Sequence, residues 1–374
     1  MRFDNILHLG IKELRSLLGD PMLVALIIYS FTASVYTVAR SSPETLSKAA
    51  IAIVDEDQSA LSARITGAFN PPYFLPPSMI TREQMDARLD AGIDTFALDI
   101  PPDFQRDVLA GRRPTVQLNV DATRISQALT GSGYVQTIAG GEVNAFVARN
   151  RNDYKPPADL AVRVRFNPEL ARFWFGAINA VINQVTLLSI LLCGAALIRE
   201  REQGNIEHLL AMPVTPFEIM TGKVWSMGLV VLTACAFSLV FVVQEWLSVP
   251  IQGSIPLFLA GAAITLFATT SMGIFMGTIA GNLPQFGLLL ILTILPLQML
   301  SGGATPYESM PQAVQYLMLA APTTHFVKLA QGILYRDAGF DIVWPQFLAL
   351  AAIGAAFFGI AVTRFRKTIG TMGT

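Results

Sequence analysis

"REREQGNIEHLLAMPVTPFEIM", residues 199–220, separates two apolar runs, one ending at Ile198 and the other beginning at Val224. A dense set of charges and two prolines, Pro213 and Pro216, needs a reason to stand between such runs. Gly204 can end an extension of the first run. Asn205 can then cap a short helix, with Glu207 in its first turn and Ile206, Leu209 and Leu210 giving it an apolar side. Pro213 stops that helix, and Pro216 lets another begin at Phe217. A short amphipathic helix held at a membrane surface between two spans suits docking of another protein. A plain interfacial loop is the alternative.

The membrane setting comes from composition. The 374 residues are 52% hydrophobic and 14% charged, where a soluble domain carries about a quarter charged residues. Residues 40–172 hold 31 of the 53 Asp, Glu, Lys and Arg residues. This predicts an α-helical polytopic membrane protein with an α/β domain inserted between its first and second spans. The net charge of −1 gives no sign of a nucleic-acid partner. Cys193 and Cys235 sit in apolar runs, and His8, His208 and His325 fall in three separate segments, so no metal site is expected.

Runs of about twenty apolar residues can cross the hydrocarbon core as helices. Six are read: 21–39, 174–198, 224–243, 255–280, 284–300 and 344–363. The first is read as a retained span, since Asp4, Glu13 and Asp20 give the stretch before it the wrong charge for a signal peptide. With the N-terminus inside, the cytoplasmic segments hold Arg2, Lys12, Arg15, Arg199, Arg201, Lys223, Arg364, Arg366 and Lys367. The short outer loops hold only Lys328 and Arg336, a bias that places both termini in the cytoplasm and 40–172 outside. Before the first span, Phe3, Ile6, Leu7, Ile11, Leu14, Leu17 and Leu18 share a helical face. Residues 1–20 thus read as an amphipathic interfacial helix, with packing against a partner subunit as the alternative.

The outer domain has its own pattern. Strands are expected at 49–55, 94–100, 115–121 and 161–166, with helices from Asp57 or Ser59 to about Phe69, over 101–111 and over 125–150. Asp55 and Asp57 read as a capped turn rather than metal ligands, and no catalytic constellation has usable spacing. Within the spans, Tyr29, Thr32 and Tyr36 share one face, Asn179 and Asn183 are four apart beside Gln184, and Gln298 lies near the end of the fifth span. Interhelical hydrogen bonding is one reading of them, and a path for an amphipathic compound is the other. No span carries the mid-membrane charge that a proton relay needs, which counts against a secondary transporter.

"IREREQGNIEHLLAMPVTPFEIMTGKVW" resembles the signature of ABC-2 type exporter permeases: charged RERE, a glycine, E-x-L, then P-x-x-x-x-E. "IAIVDEDQS", "IPPDFQRDVLAGRRPTVQLNVDATR", "MLSGGATP" and "PTTHFVKLAQGILYR" are similar to the subgroup with a large periplasmic domain. The resemblance implies a transport subunit of the bacterial inner membrane, driven by a separate ABC ATP-binding subunit that carries ATP and Mg. Residues 205–212 would be the coupling helix seated in that ATPase. Glu200, Arg201, Glu202, Gly204, Glu207, Leu209, Leu210 and Pro213 would be the coupling residues. It further implies a second permease chain, a periplasmic membrane-fusion protein as a further partner, and two short re-entrant helices in 301–322, turned by Gly302, Gly303 and Pro306.

This chain is expected to bind no cofactor and to hydrolyse no ATP. Its only Gly-Lys pair is Gly222–Lys223, and a phosphate-binding loop there would need glycine at 217 and Ser or Thr at 224, where Phe217 and Val224 stand. Export of drugs or other amphipathic compounds is the leading expectation. Export of a lipid-linked or polysaccharide product is the alternative, and a membrane-anchored receptor is the reading of a different class.

Overall fold

The computed structural model describes residues 3–41, 48–121, 125–150, 172–204, 214–303, 305 and 307–372. The chain forms two compact units, one of Met1–Ser42 with Phe166–Thr374 and the other of Pro43–Arg165.

The first unit is helical. Helix α1 is Phe3–Leu18. Helix α2, Pro21–Ser41, is capped by Asp20, whose carboxylate accepts from the Met22 and Leu23 amides, and it widens into a π-turn at Ser30–Ser34. Helix α7, Arg172–Glu202, is 31 residues long. Helix α8, Pro216–Trp246, starts on a capping box and ends in a π-helical stretch from Ser238. In that box the Thr215 hydroxyl accepts from the Glu218 amide and the Glu218 carboxylate accepts from the Thr215 amide. The glutamate of P-x-x-x-x-E thereby fixes where the helix begins. Helices α9 (Ile255–Ile279), α10 (Leu283–Met299), α11 (Gln312–Met318), α12 (Pro322–Arg336) and α13 (Phe340–Met372) complete the unit.

Five of these helices, α2, α7, α8, α9 and α13, are long and apolar enough to cross a membrane. The segment expected as the fifth of six spans, 284–300, forms α10, with 17 residues. At 1.5 Å per residue that is roughly 25 Å, short of the ~30 Å hydrocarbon core. After it the chain turns through a 3-10 segment, Tyr307–Ser309, into α11. The Tyr307 hydroxyl donates to the Gln315 carbonyl (2.9 Å) and the Gln315 amide group to the Met310 carbonyl (2.8 Å), so side chains of this segment satisfy two of its carbonyls. Helix α12 is buried along Phe326, Leu329, Ala330 and Ile333. Helix α9 buries Thr265, Thr269, Thr270 and Ser271. Their hydroxyls bond to carbonyls one turn back, and Thr269 also receives the Ser189 hydroxyl of α7 at 2.6 Å. Small polar residues let helices approach closely without leaving donors unmet.

The second unit is a mixed sheet with helices. Strands β1 (Ile51–Asp55), β2 (Ser78–Met79), β3 (Phe96–Ile100) and β4 (Gln117–Val120) lie in the order β2-β1-β3-β4. β1 runs parallel to β2 and β3, and β4 runs antiparallel to β3. Helices α3 (Ala60–Gly67), α4 (Arg82–Asp90), α5 (Phe104–Leu109) and α6 (Ile125–Asn150) connect and follow them. The short β2 and α4 were not expected, because neither carries a clear apolar period. The expected strand at 161–166 lies outside the described residues. The Asp55 carboxylate accepts from the Asp57 and Gln58 amides and the Ser62 hydroxyl, and Asp57 accepts from the Gln105 amide. Asp55 therefore caps the turn after β1, and Asp57 accepts from the first turn of α5.

Ile51, Ile53, Leu61, Phe69, Phe74, Phe96 and Leu98 give this unit its own buried core. A fragment of residues 42–170 should accordingly be soluble, with mixed α/β circular dichroism. A random-coil spectrum would show that it depends on the helical unit or on another chain.

Candidate functional site: a charge staple beside residues 205–213

Each letter of RERE holds a different element at one end of the helical unit. Arg199 reaches Asp20 at the start of α2, Nη1 to Oδ2 at 3.3 Å. Glu200 meets Lys223 of α8 at 2.7 Å and accepts from Lys12 of α1 at 2.8 Å. Arg201 donates to the Ala280 carbonyl at the end of α9. Glu202 accepts from the Leu283 amide at the start of α10, at 3.0 Å. Gly204 follows with φ +70°, a left-handed conformation that ends α7.

At the centre is Lys223, whose side chain is 1% exposed. Its ammonium donates to Glu13 Oε1 of α1 at 2.8 Å and forms an ion pair with Glu200 Oε2, which lies outside hydrogen-bond alignment. Lys12 closes the group, so Lys12, Glu13, Glu200 and Lys223 sum to zero charge. Burial pushes the Glu13 carboxyl above its ordinary range against the pull of Lys223, and the Glu200 carboxylate adds to the rise. A helical lysine consumed by two carboxylates is not placed to cradle a phosphate.

Helix α1 packs on α8 through Ile6, Gly10, Glu13 and Leu17, spaced at four, three and four residues along one face. The Trp225 indole lies over Gly10, and its Nε1 donates to the Ile6 carbonyl at 3.2 Å. Ile6 and Leu17 of this face also belong to the apolar face read from the sequence, whose Phe3, Leu7 and Leu18 stay exposed. The buried Glu13 was counted as polar in the sequence, and only its three-dimensional partner reveals why it turns inward.

Of the coupling residues, Glu200, Arg201 and Glu202 are thus engaged within the chain, and Gly204 forms the turn beyond them. Glu207, Leu209, Leu210 and Pro213 lie outside the described residues. Of the span polar groups, Asn179 lies against Gly303, where an added Cβ would be 2.3 Å from Asn179 Oδ1. Tyr29 lines a cavity of about 690 Å³ with Asp20, Arg199, Leu283 and Phe286. Tyr36 receives the Arg40 guanidinium over its ring at 5.5 Å, and the Thr32 hydroxyl returns to the Ile28 carbonyl. Asn183 and Gln298 are half-buried, while Gln184 donates to the Ser34 hydroxyl at 2.9 Å. Gly302 and Gly303 form the turn after α10, and Pro306 lies outside the described residues. A further groove of about 760 Å³, lined by Phe217, Trp225, Leu229, Leu266, Phe267 and Phe358, had no sequence signal because apolar residues in spans all look alike.

Apolar spans and a charge-stapled end that flanks a short connecting segment define a polytopic membrane subunit. Residues 18–363 match the ABC-2 family transporter protein family, and the chain belongs to that family. It is 65% identical over 368 residues to the inner membrane transport permease YhhJ of Escherichia coli (strain K12), covering 98% of each chain. It is 27% identical over 363 residues to the probable multidrug ABC transporter permease YbhR of the same organism, covering 96% of this chain and 97% of that one. The probable multidrug ABC transporter permease YbhS, also from that organism, is 24% identical over 372 residues and 96% of each chain. The protein is a multi-pass membrane permease subunit of an ABC transporter.

Gly10 tests how α1 is seated. A Cβ there would lie 2.1 Å from the Trp225 ring, so Gly10→Val must separate α1 from α8. Overpacking of this kind costs about 1–3 kcal/mol, and the thermal midpoint of the purified chain in nanodiscs should fall. Gly133→Ala, where nothing lies within 4 Å, should cause no loss.

Proposed function

We propose that this chain is the membrane-spanning half of an ATP-driven exporter that moves drugs or other amphipathic compounds out across the inner membrane. A separate ABC ATP-binding subunit supplies the energy and holds ATP and Mg, and a second permease chain completes the pathway. Both termini are cytoplasmic, residues 40–172 are periplasmic, and the 17-residue helix Leu283–Met299 is the fifth of six spans, with a re-entrant segment after it. A periplasmic membrane-fusion protein is a further partner.

The staple is the observation that carries this reading. Residues 205–213 connect α7 to α8, and both flanking helix ends are locked to α1 through Glu200 and Lys223. A push on that connection therefore reaches α1, α7 and α8 together, as coupling between a docking segment and the spans requires. The nine-to-two bias of Lys and Arg in short loops puts this end in the cytoplasm, where an ATPase would meet it. Two relatives named as probable multidrug permeases support amphipathic compounds as the cargo.

Glu207→Lys and Leu209→Asp alter the docking segment and leave the four staple residues unchanged. Both should reduce co-purification with the cognate ATPase or abolish substrate-stimulated hydrolysis in nanodiscs, with normal expression. Normal partner retention and normal stimulation in both variants would reduce 199–220 to a loop. The topology has its own check. Single cysteines at Arg112 and Gln252 should react with an impermeant thiol reagent from outside intact cells, and one at Asn205 should not. Outside labelling at 205 would overturn the orientation.

A further inference from the structure

The second unit holds a cavity of about 680 Å³ that the transport reading leaves unused. Helices α3, α5 and α6 enclose it, together with the chain after Gly111. Its volume falls within the range of small-molecule pockets, roughly 300–1,000 Å³. The floor is apolar, with Ile65, Phe104, Val108 and Val147 all buried. Arg112 and Arg113 stand at the mouth, both exposed.

The charges around this mouth do not balance. Arg112 donates to Asp107 at 2.5 Å, and Asp107 is shared with Arg106 at 3.4 Å. Glu142, one turn along α6 from the wall, is held by Arg64 at 2.6 Å. Asp103 is taken by Arg106 at 2.8 Å. Among the described residues these three carboxylates pair with Arg64, Arg106 and Arg112, and none of them with Arg113. An apolar floor beneath an uncompensated guanidinium selects a molecule with an apolar body and a negative head. A cation with the same body would meet like charge at the mouth.

We propose that this cavity is a binding site for an amphipathic anion, such as an alkyl or aryl sulfonate or carboxylate. The apolar body lies on Phe104, Val108 and Val147, and Arg113 holds the anionic head with Arg112 beside it. Gly140 forms part of the wall, and nothing stands within 4 Å of where its Cβ would be. A Cβ at this position therefore meets no neighbour, a larger side chain built on it narrows the cavity from α6, and leucine is the better helix former.

The test uses the full chain in phosphatidylcholine nanodiscs and two photoreactive probes of equal chain length. One is a diazirine-bearing alkyl sulfonate and the other the matching alkyl trimethylammonium. After irradiation, mass spectrometry should find the sulfonate on peptides covering 104–116 and 139–147, with unlabelled sulfonate competing. Arg113→Glu should lower that labelling about tenfold, the worth of one charge-assisted contact. Gly140→Leu should abolish it while leaving the thermal midpoint unchanged or raised. Equal labelling by the ammonium probe, absence of label at both peptides, or undiminished labelling in Arg113→Glu would overturn the proposal. Arg113→Glu lies on the surface, so it decides the matter even if Gly140→Leu disturbs folding.

Discussion

Lys223 is buried, and its charge is met by Glu13 at 2.8 Å and Glu200 at 2.7 Å. The Lys223 ammonium cannot be moved into an apolar interior without its partners, since an isolated buried charge costs several kcal/mol even after relaxation. The three residues come from α1, α7 and α8, far apart in sequence. Their meeting fixes how an amphipathic helix at the N-terminus is seated on two helices of the bundle. Lys12 then neutralises the group, leaving an ion cluster that is neutral as a whole and fragile if any one member is lost.

The neighbouring letters of RERE extend the same constraint. Arg199 holds α2 through Asp20, and Arg201 and Glu202 hold the turn between α9 and α10 through Ala280 and Leu283. One turn of α7 therefore gathers α1, α2, α8, α9 and α10 at a single end. Residues 205–213, which follow in the chain, lie outside the described residues. That division explains why a hydrophobic chain spends its charges here: the first four build the end of the bundle, and the remainder belongs to the segment that the functional proposal assigns to docking.

The long apolar helices were legible in the sequence because length and hydropathy leave few alternatives for them. The start of α8 was legible from Pro216, while Thr215 and Glu218 show the reciprocal cap behind it. The internal role of Glu200 was not legible. A charged residue next to a span looks equally suited to solvent, to an ATPase or to a buried partner, and Lys223 and Glu13 lie 23 and 187 positions away. The packing of α1 on α8 was not legible for a related reason. Gly10 and Glu13 score as weak or polar, yet Gly10 is what lets Trp225 approach, and Glu13 is buried because Lys223 awaits it. In the second unit, β1 and β3 followed from short apolar runs, β4 from alternation and the helix after β1 from its capping residues, whereas the two-residue β2 pairs with β1 without such a signal.

The central claim is that Lys223 and Glu13 act as a pair. A charge exchange tests it most directly: Lys223→Glu, Glu13→Lys and the two combined, each compared by thermal midpoint in nanodiscs. Lys223→Glu gathers three carboxylates and should be strongly destabilising, on the scale of about 3–5 kcal/mol for a broken buried pair. The combined variant restores a cation between two carboxylates and should recover much of the lost midpoint. A single Lys223→Glu variant as stable as the parent, or a double variant no better than the worse single one, would contradict the account.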